Sequence, residues 1–191
     1  MTIVAVGAST GGANALPKLL APMPPDAPPI LVVQHLPEGY ARPFAERLNR
    51  LCRVEVREAR DGDDARAGRV LVAPANRHML LRRRDDRYTV EVCDGPPFSR
   101  HRPSIDLLFR SVAAAAGRDA VGVLLSGMGD DGAAGLAEMR RAGAVTLAQD
   151  ESSCVVSGVP RHAIERDAVD ATFPLHRLPR EILSRLPRSA T

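Results

Sequence analysis

Five short segments of this chain are apolar at nearly every position rather than at every second one, and that restricts the fold more than any other feature. They are residues 3–6 (IVAV), 30–34 (ILVVQ), 69–73 (RVLVA), 121–126 (VGVLLS) and 145–149 (VTLAQ). A strand with one wet face alternates apolar and polar side chains. A strand apolar throughout is covered on both faces, as in parallel sheets flanked by helices. Helical patterns separate these runs at residues 12–20, 41–51, 103–116, 132–144 and 160–166, with Gly117 as a stop signal. The alternation predicts a doubly wound, mostly parallel α/β sheet with helices on both faces, in one domain. Residues 54–59 read as a further strand. Residues 80–84 and 88–92 read as a small β-hairpin around Asp85 and Asp86. A last amphipathic helix is expected at 176–186, interrupted by Pro179. The domain is expected to run over residues 1–187, with a frayed tail at 188–191.

The 191 residues suit a single domain with a sizeable core, and 45% of them are hydrophobic. Aromatic residues make up only 3%, and the formal charge is +3. That combination argues against nucleic-acid binding, which needs a basic surface interleaved with stacking side chains. Arg82, Arg83 and Arg84 form the one tight basic run, and two aspartates follow it. A solvated hairpin end is the favoured reading, with a docking patch for an acidic partner as the alternative. Cys52, Cys93 and Cys154 are odd in number and far apart. They are expected to be buried reduced thiols rather than a disulfide framework or a zinc site. The start of the chain has no basic residues and too short an apolar run for a signal peptide, so none is expected, and no stretch approaches the roughly 20 apolar residues of a membrane span. A cytoplasmic protein without membrane insertion is expected.

Three segments carry chemistry. Residues 7–12 (GASTGG) follow a strand and open a helix, and match the G-x-S-x-G pattern that presents a serine on a tight turn. The helix start supplies free N–H groups suited to an oxyanion. A structural turn or an anion site competes with this reading. His35 ends the second buried run in QHLP. Residues 126–132 (SGMGDDG) follow another buried strand and precede a helix, with helix capping by Asp130 or Asp131 as the bland alternative. In a parallel sheet these strand ends share one edge. A nucleophile, a base and an orienting carboxylate would then meet there. No cluster has metal-ligand spacing, so no metal and no cofactor are expected.

The strings GASTGG, QHLP, VLVAPANRHM, PSIDLLF, LLSGMGDDGAAGL and AQDESSCVVSGVPRHA run in order from Gly7 to about Ala163. As a set they resemble the signatures of the chemotaxis protein-glutamate methylesterase catalytic domain. The resemblance implies hydrolysis of glutamate methyl esters on the cytoplasmic helices of methyl-accepting chemoreceptors, and in many members deamidation of particular receptor glutamines. It implies Ser9 as nucleophile, His35 as general base and Asp131, rather than Asp130, as the third member. It also implies Thr10 as a support and the Met128 backbone N–H as an oxyanion donor. Full-length members usually carry a receiver domain before the catalytic one. This sequence begins at the catalytic domain, so regulation by a separate protein is expected. Ser157 stands where the family has an aromatic residue. Two other functions compete: a non-catalytic anion- or partner-binding signalling module, and a triad hydrolase acting on another protein ester or amide. Asn76, His78, Ser104, Asp106 and Glu151 are expected to be structural or capping residues, with substrate contact as the alternative for Asn76 and His78. Arg100 and Arg102 are candidates to meet acidic receptor helices. His162 and His176 are expected only at the surface or in packing.

Overall fold

A computed structural model describes residues 1–186. The expected tail at 188–191 lies outside the described residues. Strands β1 (Ile3–Ala8), β2 (Ile30–Gln34), β3 (Glu55–Glu58), β4 (Arg69–Val72), β7 (Ala120–Leu124), β8 (Val145–Gln149) and β9 (Ala171–Phe173) form one sheet in the order β3-β4-β2-β1-β7-β8-β9. Every neighbouring pair in it is parallel. Strands β5 (His78–Arg84) and β6 (Arg87–Cys93) form the separate antiparallel hairpin. Helices α1 (Gly12–Leu20), α2 (Ala41–Leu51), α3 (Ile105–Ala116), α4 (Ala133–Arg141), α5 (Gly158–Glu165) and α6 (Leu178–Ser184) complete the chain.

The continuous apolar runs are explained by which face each residue serves. Ile3 and Ala5 of β1 point into a core shared with α3, α4, α5 and the hairpin, through Phe109, Leu136, Val159 and Leu81. Val4 and Val6 point the other way, into a core shared with α1, α2 and α6, through Leu16, Leu48 and Ile182. Successive side chains alternate between faces, so a strand covered on both sides must be apolar at every position. The hairpin shares the first core with α3 through Met79, Leu81 and Val90.

Three expectations are corrected. Pro179 does not interrupt the last helix. It sits in the first turn of α6, where a missing N–H breaks no helical hydrogen bond. The edge strand β9 was not anticipated. It is three residues long and none of them is fully buried, so it carries no apolar signature. The three cysteines are unpaired, and they are half-buried rather than buried as expected. Among the described residues, no helix is long and apolar enough to cross a membrane.

Candidate active site

Strand register brings the first two site residues together. Ala8 of β1 pairs with Gln34 of β2, so Ser9 and His35 follow side by side, and the His35 N–H donates to the Ala8 carbonyl at 3.1 Å. β7 lies on the other flank of β1. Successive connections leave this point in opposite directions along the sheet, which opens a crevice at the carboxyl ends of the strands. The loop from β7 to α4 carries Asp131 into that crevice.

There His35 bridges the other two. Its Nδ1 lies 3.2 Å from Ser9 Oγ and its Nε2 lies 2.9 Å from Asp131 Oδ2. An ionised carboxylate only accepts, so Nε2 carries the proton and Nδ1 turns its lone pair to the serine hydroxyl. The ring is thus presented in the opposite sense from chymotrypsin, whose histidine faces its serine with Nε2. Asp131 is 1% exposed. It accepts from Ser104 Oγ at 2.9 Å and from the N–H groups of Ile105 and Asp106 at 2.8 and 3.0 Å. Burial pushes its pKa up, but the bonds from His35, Asp106, Ile105 and Ser104 outweigh this and hold it below the ordinary carboxylate value. The two backbone donors are the first turn of α3, where the helix dipole also favours negative charge. Ser104 is the N-cap of that helix, as expected, and it also donates to Asp131.

Asp106 returns the arrangement. From the first turn of α3 its Oδ1 accepts from Gly132 N–H at 3.0 Å and Gly135 N–H at 2.7 Å, at the start of α4. Each helix start therefore receives a carboxylate from the other segment. Burial, reinforced by the nearby Asp131 charge, raises the Asp106 pKa despite these bonds. Its charged form thus costs stability above the unfolded carboxylate pKa, and the cost fades as pH falls. Asp106→Asn keeps an oxygen for both N–H groups and removes the charge. It is expected to match or exceed wild-type stability at pH 7. Asp106→Ala strands two buried donors and is expected to lose about 1–3 kcal/mol for each of them. Urea denaturation of both variants checks this.

The serine turn is held from three sides. Gln34 Nε2 donates to the carbonyls of Ser9 at 2.9 Å and His35 at 3.1 Å. Ser9 N–H donates to the Ser126 carbonyl at 3.1 Å. Buried Ser126 Oγ donates to the Thr10 carbonyl at 2.8 Å and accepts from Val155 and Val156 N–H, while Ser126 N–H donates to Gln149 Oε1 at 2.9 Å. The left-handed residue of the turn is Gly11 (φ 91°), not the serine. A Cβ on Gly11 would stand 2.6 Å from Ser126 Oγ and 2.8 Å from Val155 Cβ. Gly127 packs so closely that a Cβ there would stand 2.9 Å from Ser9 Cβ. Next to it, the Met128 N–H has no acceptor among the described residues. Thr10 is exposed, and its hydroxyl bonds neither Ser9 nor His35. His162 is not merely a surface residue. Its Nδ1 lies 3.0 Å from the Gly129 carbonyl and 2.8 Å from that of Gly158, tying α5 to the Met128 loop.

Around this centre, a shallow groove is lined by His35, Leu36, Asn76, Pro97, Arg100 and His101. His101 lies flat on His35 with ring centroids 4.0 Å apart and planes 6° apart. His35, His101 and Asp131 bring three ligand-type atoms within 4.8 Å of one another. Parallel ring planes do not let both in-plane lone pairs converge on one ion, so the trio is poorly arranged for a metal. His78 is structural: its Nε2 lies 3.0 Å from the Pro96 carbonyl, and Ser104 N–H donates to its Nδ1 at 3.3 Å. Asp130 is half-exposed, and among the described residues its carboxylate pairs with Arg100 alone, at 3.6 Å. Ser157 donates to Glu151, which also pairs with Arg161 at 2.6 Å, so a polar cluster occupies this position. Arg82 pairs with Glu91 on the hairpin surface. The Cys154 thiol is pushed up to about 11 by burial and by Asp150 and Glu151, which leaves it no thiolate character at neutral pH.

The family model described as CheB methylesterase matches residues 4–182. Protein-glutamate methylesterase/protein-glutamine glutaminase 3 of Geobacter metallireducens is 57% identical over 181 residues, covering 95% of this chain and 51% of that protein. Protein-glutamate methylesterase/protein-glutamine glutaminase 5 of Anaeromyxobacter dehalogenans is 59% identical over 181 residues, covering 95% of this chain and 50% of that protein. The chain thus spans about half the length of the curated relatives it matches. The crystal structure of the Thermotoga maritima CheB methylesterase catalytic domain superposes with a TM-score of 0.93 at 31% identity, covering 96% of this chain and 97% of that one. On sequence and fold together, the chain belongs to the CheB methylesterase family.

Proposed function

We propose that this protein hydrolyses glutamate methyl esters on the cytoplasmic helices of chemoreceptors, with Ser9, His35 and Asp131 as its catalytic triad. The observation that carries the proposal is the bridging of Ser9 Oγ and Asp131 by one imidazole, at 3.2 and 2.9 Å. His35 Nδ1 takes the hydroxyl proton as Ser9 Oγ attacks the ester carbonyl carbon. The negative charge moves to the carbonyl oxygen, where the Met128 N–H is the proposed donor. Thr10 is retained as a support of the serine turn through its carbonyl, which accepts from Ser126 Oγ. The tetrahedral species collapses, its C–O bond to the methoxy group breaks, and Nδ1–H protonates the leaving oxygen to give methanol. Water then attacks the glutamyl-serine ester, giving its proton to Nδ1. The second collapse frees the glutamate carboxyl and returns the proton to Ser9 Oγ. Asp131 remains ionised and stabilises the imidazolium in both halves.

The same acyl-enzyme is reached from a glutamine side chain with ammonia as leaving group, and the relatives' names include a glutaminase activity. A protein substrate fits the surroundings of Ser9. Met128 and Val155 are both 69% exposed, unusual for large apolar side chains, and they flank the serine turn. Arg100 stands exposed beside the groove for acidic neighbours of the scissile group. This reading places the protein in the cytoplasm, where those receptor helices lie.

Incubation with a methyl-labelled receptor cytoplasmic fragment is expected to release labelled methanol, and the Ser9→Ala variant to release none. A fluorophosphonate should label Ser9 in the wild type. A wild-type protein that neither releases methanol nor takes the label would sink the esterase reading in favour of a binding module.

A further inference from the structure

We infer that His101 is a positioning residue for the general base: its ring is the third contact that sets the plane of His35. The inference rests on the triad reading above. Hydrogen bonds at Nδ1 and Nε2 fix a line through the His35 ring. The Cβ attachment anchors the ring off that line, but rotation about χ1 and χ2 within the slack of the two bonds still lets it rock, and rocking swings the Nδ1 lone pair off the serine hydroxyl. A flat contact on the ring face narrows that freedom. His101 makes one, with centroids 4.0 Å apart and planes 6° apart.

The chain is built to hold His101 there. Phe98 and His101 exchange two backbone hydrogen bonds, of 3.0 and 2.9 Å, closing a two-residue turn. The turn residues Ser99 and Arg100 have φ of 47° and 68°. Both are in the left-handed region that such a turn requires and that glycine or asparagine usually fills. Backbone strain at two non-glycine residues persists only where the surroundings enforce it, and such strain clusters at functional sites. The Arg110 guanidinium, 4.8 Å from the Phe98 ring centroid, ties the turn to α3, the helix that also holds Asp131. Burial and the neighbouring His35, with Arg100, lower the His101 pKa against the opposing pull of Asp131 and Asp130, so the ring meets His35 uncharged at neutral pH. A neutral aromatic face also accommodates the imidazolium that forms during the reaction.

The test compares His101→Ala with His101→Phe. Two readouts are used: hydrolysis of methylated receptor fragment, and the NMR signal of the His35 ring proton bonded to Asp131. Thermal melting checks that each variant is folded. His101→Ala is expected to lower kcat at least tenfold with KM within threefold, and to broaden or lose the ring-proton signal. His101→Phe, which keeps a flat ring, is expected to restore both to within threefold of wild type. Wild-type kcat and an intact signal in His101→Ala would overturn the inference, as would equal losses in both variants. The ring-proton signal decides the matter even if the wild type proves inactive on receptor esters, an outcome that would fall on the esterase reading alone.

Discussion

Ser9→Ala is expected to lower kcat for methyl-ester hydrolysis by about 10⁶-fold, the scale on which subtilisin loses rate when its nucleophile is removed. The size follows from what the hydroxyl supplies. It is the atom that forms the acyl-enzyme, and without it His35 can activate only a water that the site was not shaped to hold. Stability should hardly change, within about 1 kcal/mol, because the turn does not depend on the side chain. Its N–H donates to the Ser126 carbonyl, its own carbonyl accepts from the Gln34 side chain, and among the described residues the hydroxyl's one hydrogen bond is to His35. Methanol release from labelled receptor fragment, measured beside a urea denaturation curve, separates the two effects. Residual activity within tenfold of wild type would mean that another group attacks the ester. Cys154, with its thiol pushed up to about 11, is not equipped to be that group.

What could be read from the sequence was whatever depends on local pattern. β1, β2 and β7 announce themselves because burial on both faces forces apolar residues at consecutive positions. The loops after them are conspicuous because a backbone that wraps a site needs glycine, and Gly11 and Gly132 do adopt φ of 91° and 102°. The choice of Asp131 over Asp130 was different. Both are plausible caps, and only the resemblance separated them before the structure put one under His35 and the other beside Arg100. His101 left no signal, because its importance depends on a turn whose left-handed residues are serine and arginine. Gln34 is the polar end of an apolar run, and its bonds to two site carbonyls give that polarity its reason. His162 ties its own helix to Gly129, 33 residues away, and the Asp106 carboxylate holds Gly132 and Gly135, 26 and 29 residues away, separations that no local pattern records. β9 has too few buried residues to mark itself.

Asp131→Asn is expected to lower kcat by about 10⁴-fold, with a signature that separates loss of chemistry from loss of fold. All four groups around the carboxylate are donors: the Ser104 hydroxyl, the N–H groups of Ile105 and Asp106, and His35 Nε2. An asparagine offers one oxygen and an NH₂ group to these donors. With the NH₂ in the Oδ2 position, His35 must accept on Nε2 and carry its proton on Nδ1, which then points N–H at Ser9 and cannot take its proton. With the NH₂ in the Oδ1 position, it faces Asp106 N–H. Either orientation sets an NH₂ against a buried backbone N–H and costs about 1–3 kcal/mol. Ring-nitrogen NMR of His35 reports the tautomer directly. The stability loss should also depend on pH in a defined sense. The wild-type carboxyl is held below its unfolded value, so its contribution is complete above about pH 4, the unfolded carboxylate range, and is lost as pH falls through the lower folded pKa. The gap between wild type and Asp131→Asn should therefore be widest near neutral pH and shrink toward pH 2. Asp130→Ala is the control, expected to keep kcat within threefold. If Asp130→Ala abolished hydrolysis while Asp131→Asn retained it, the carboxylate under His35 would not be the one the reaction uses.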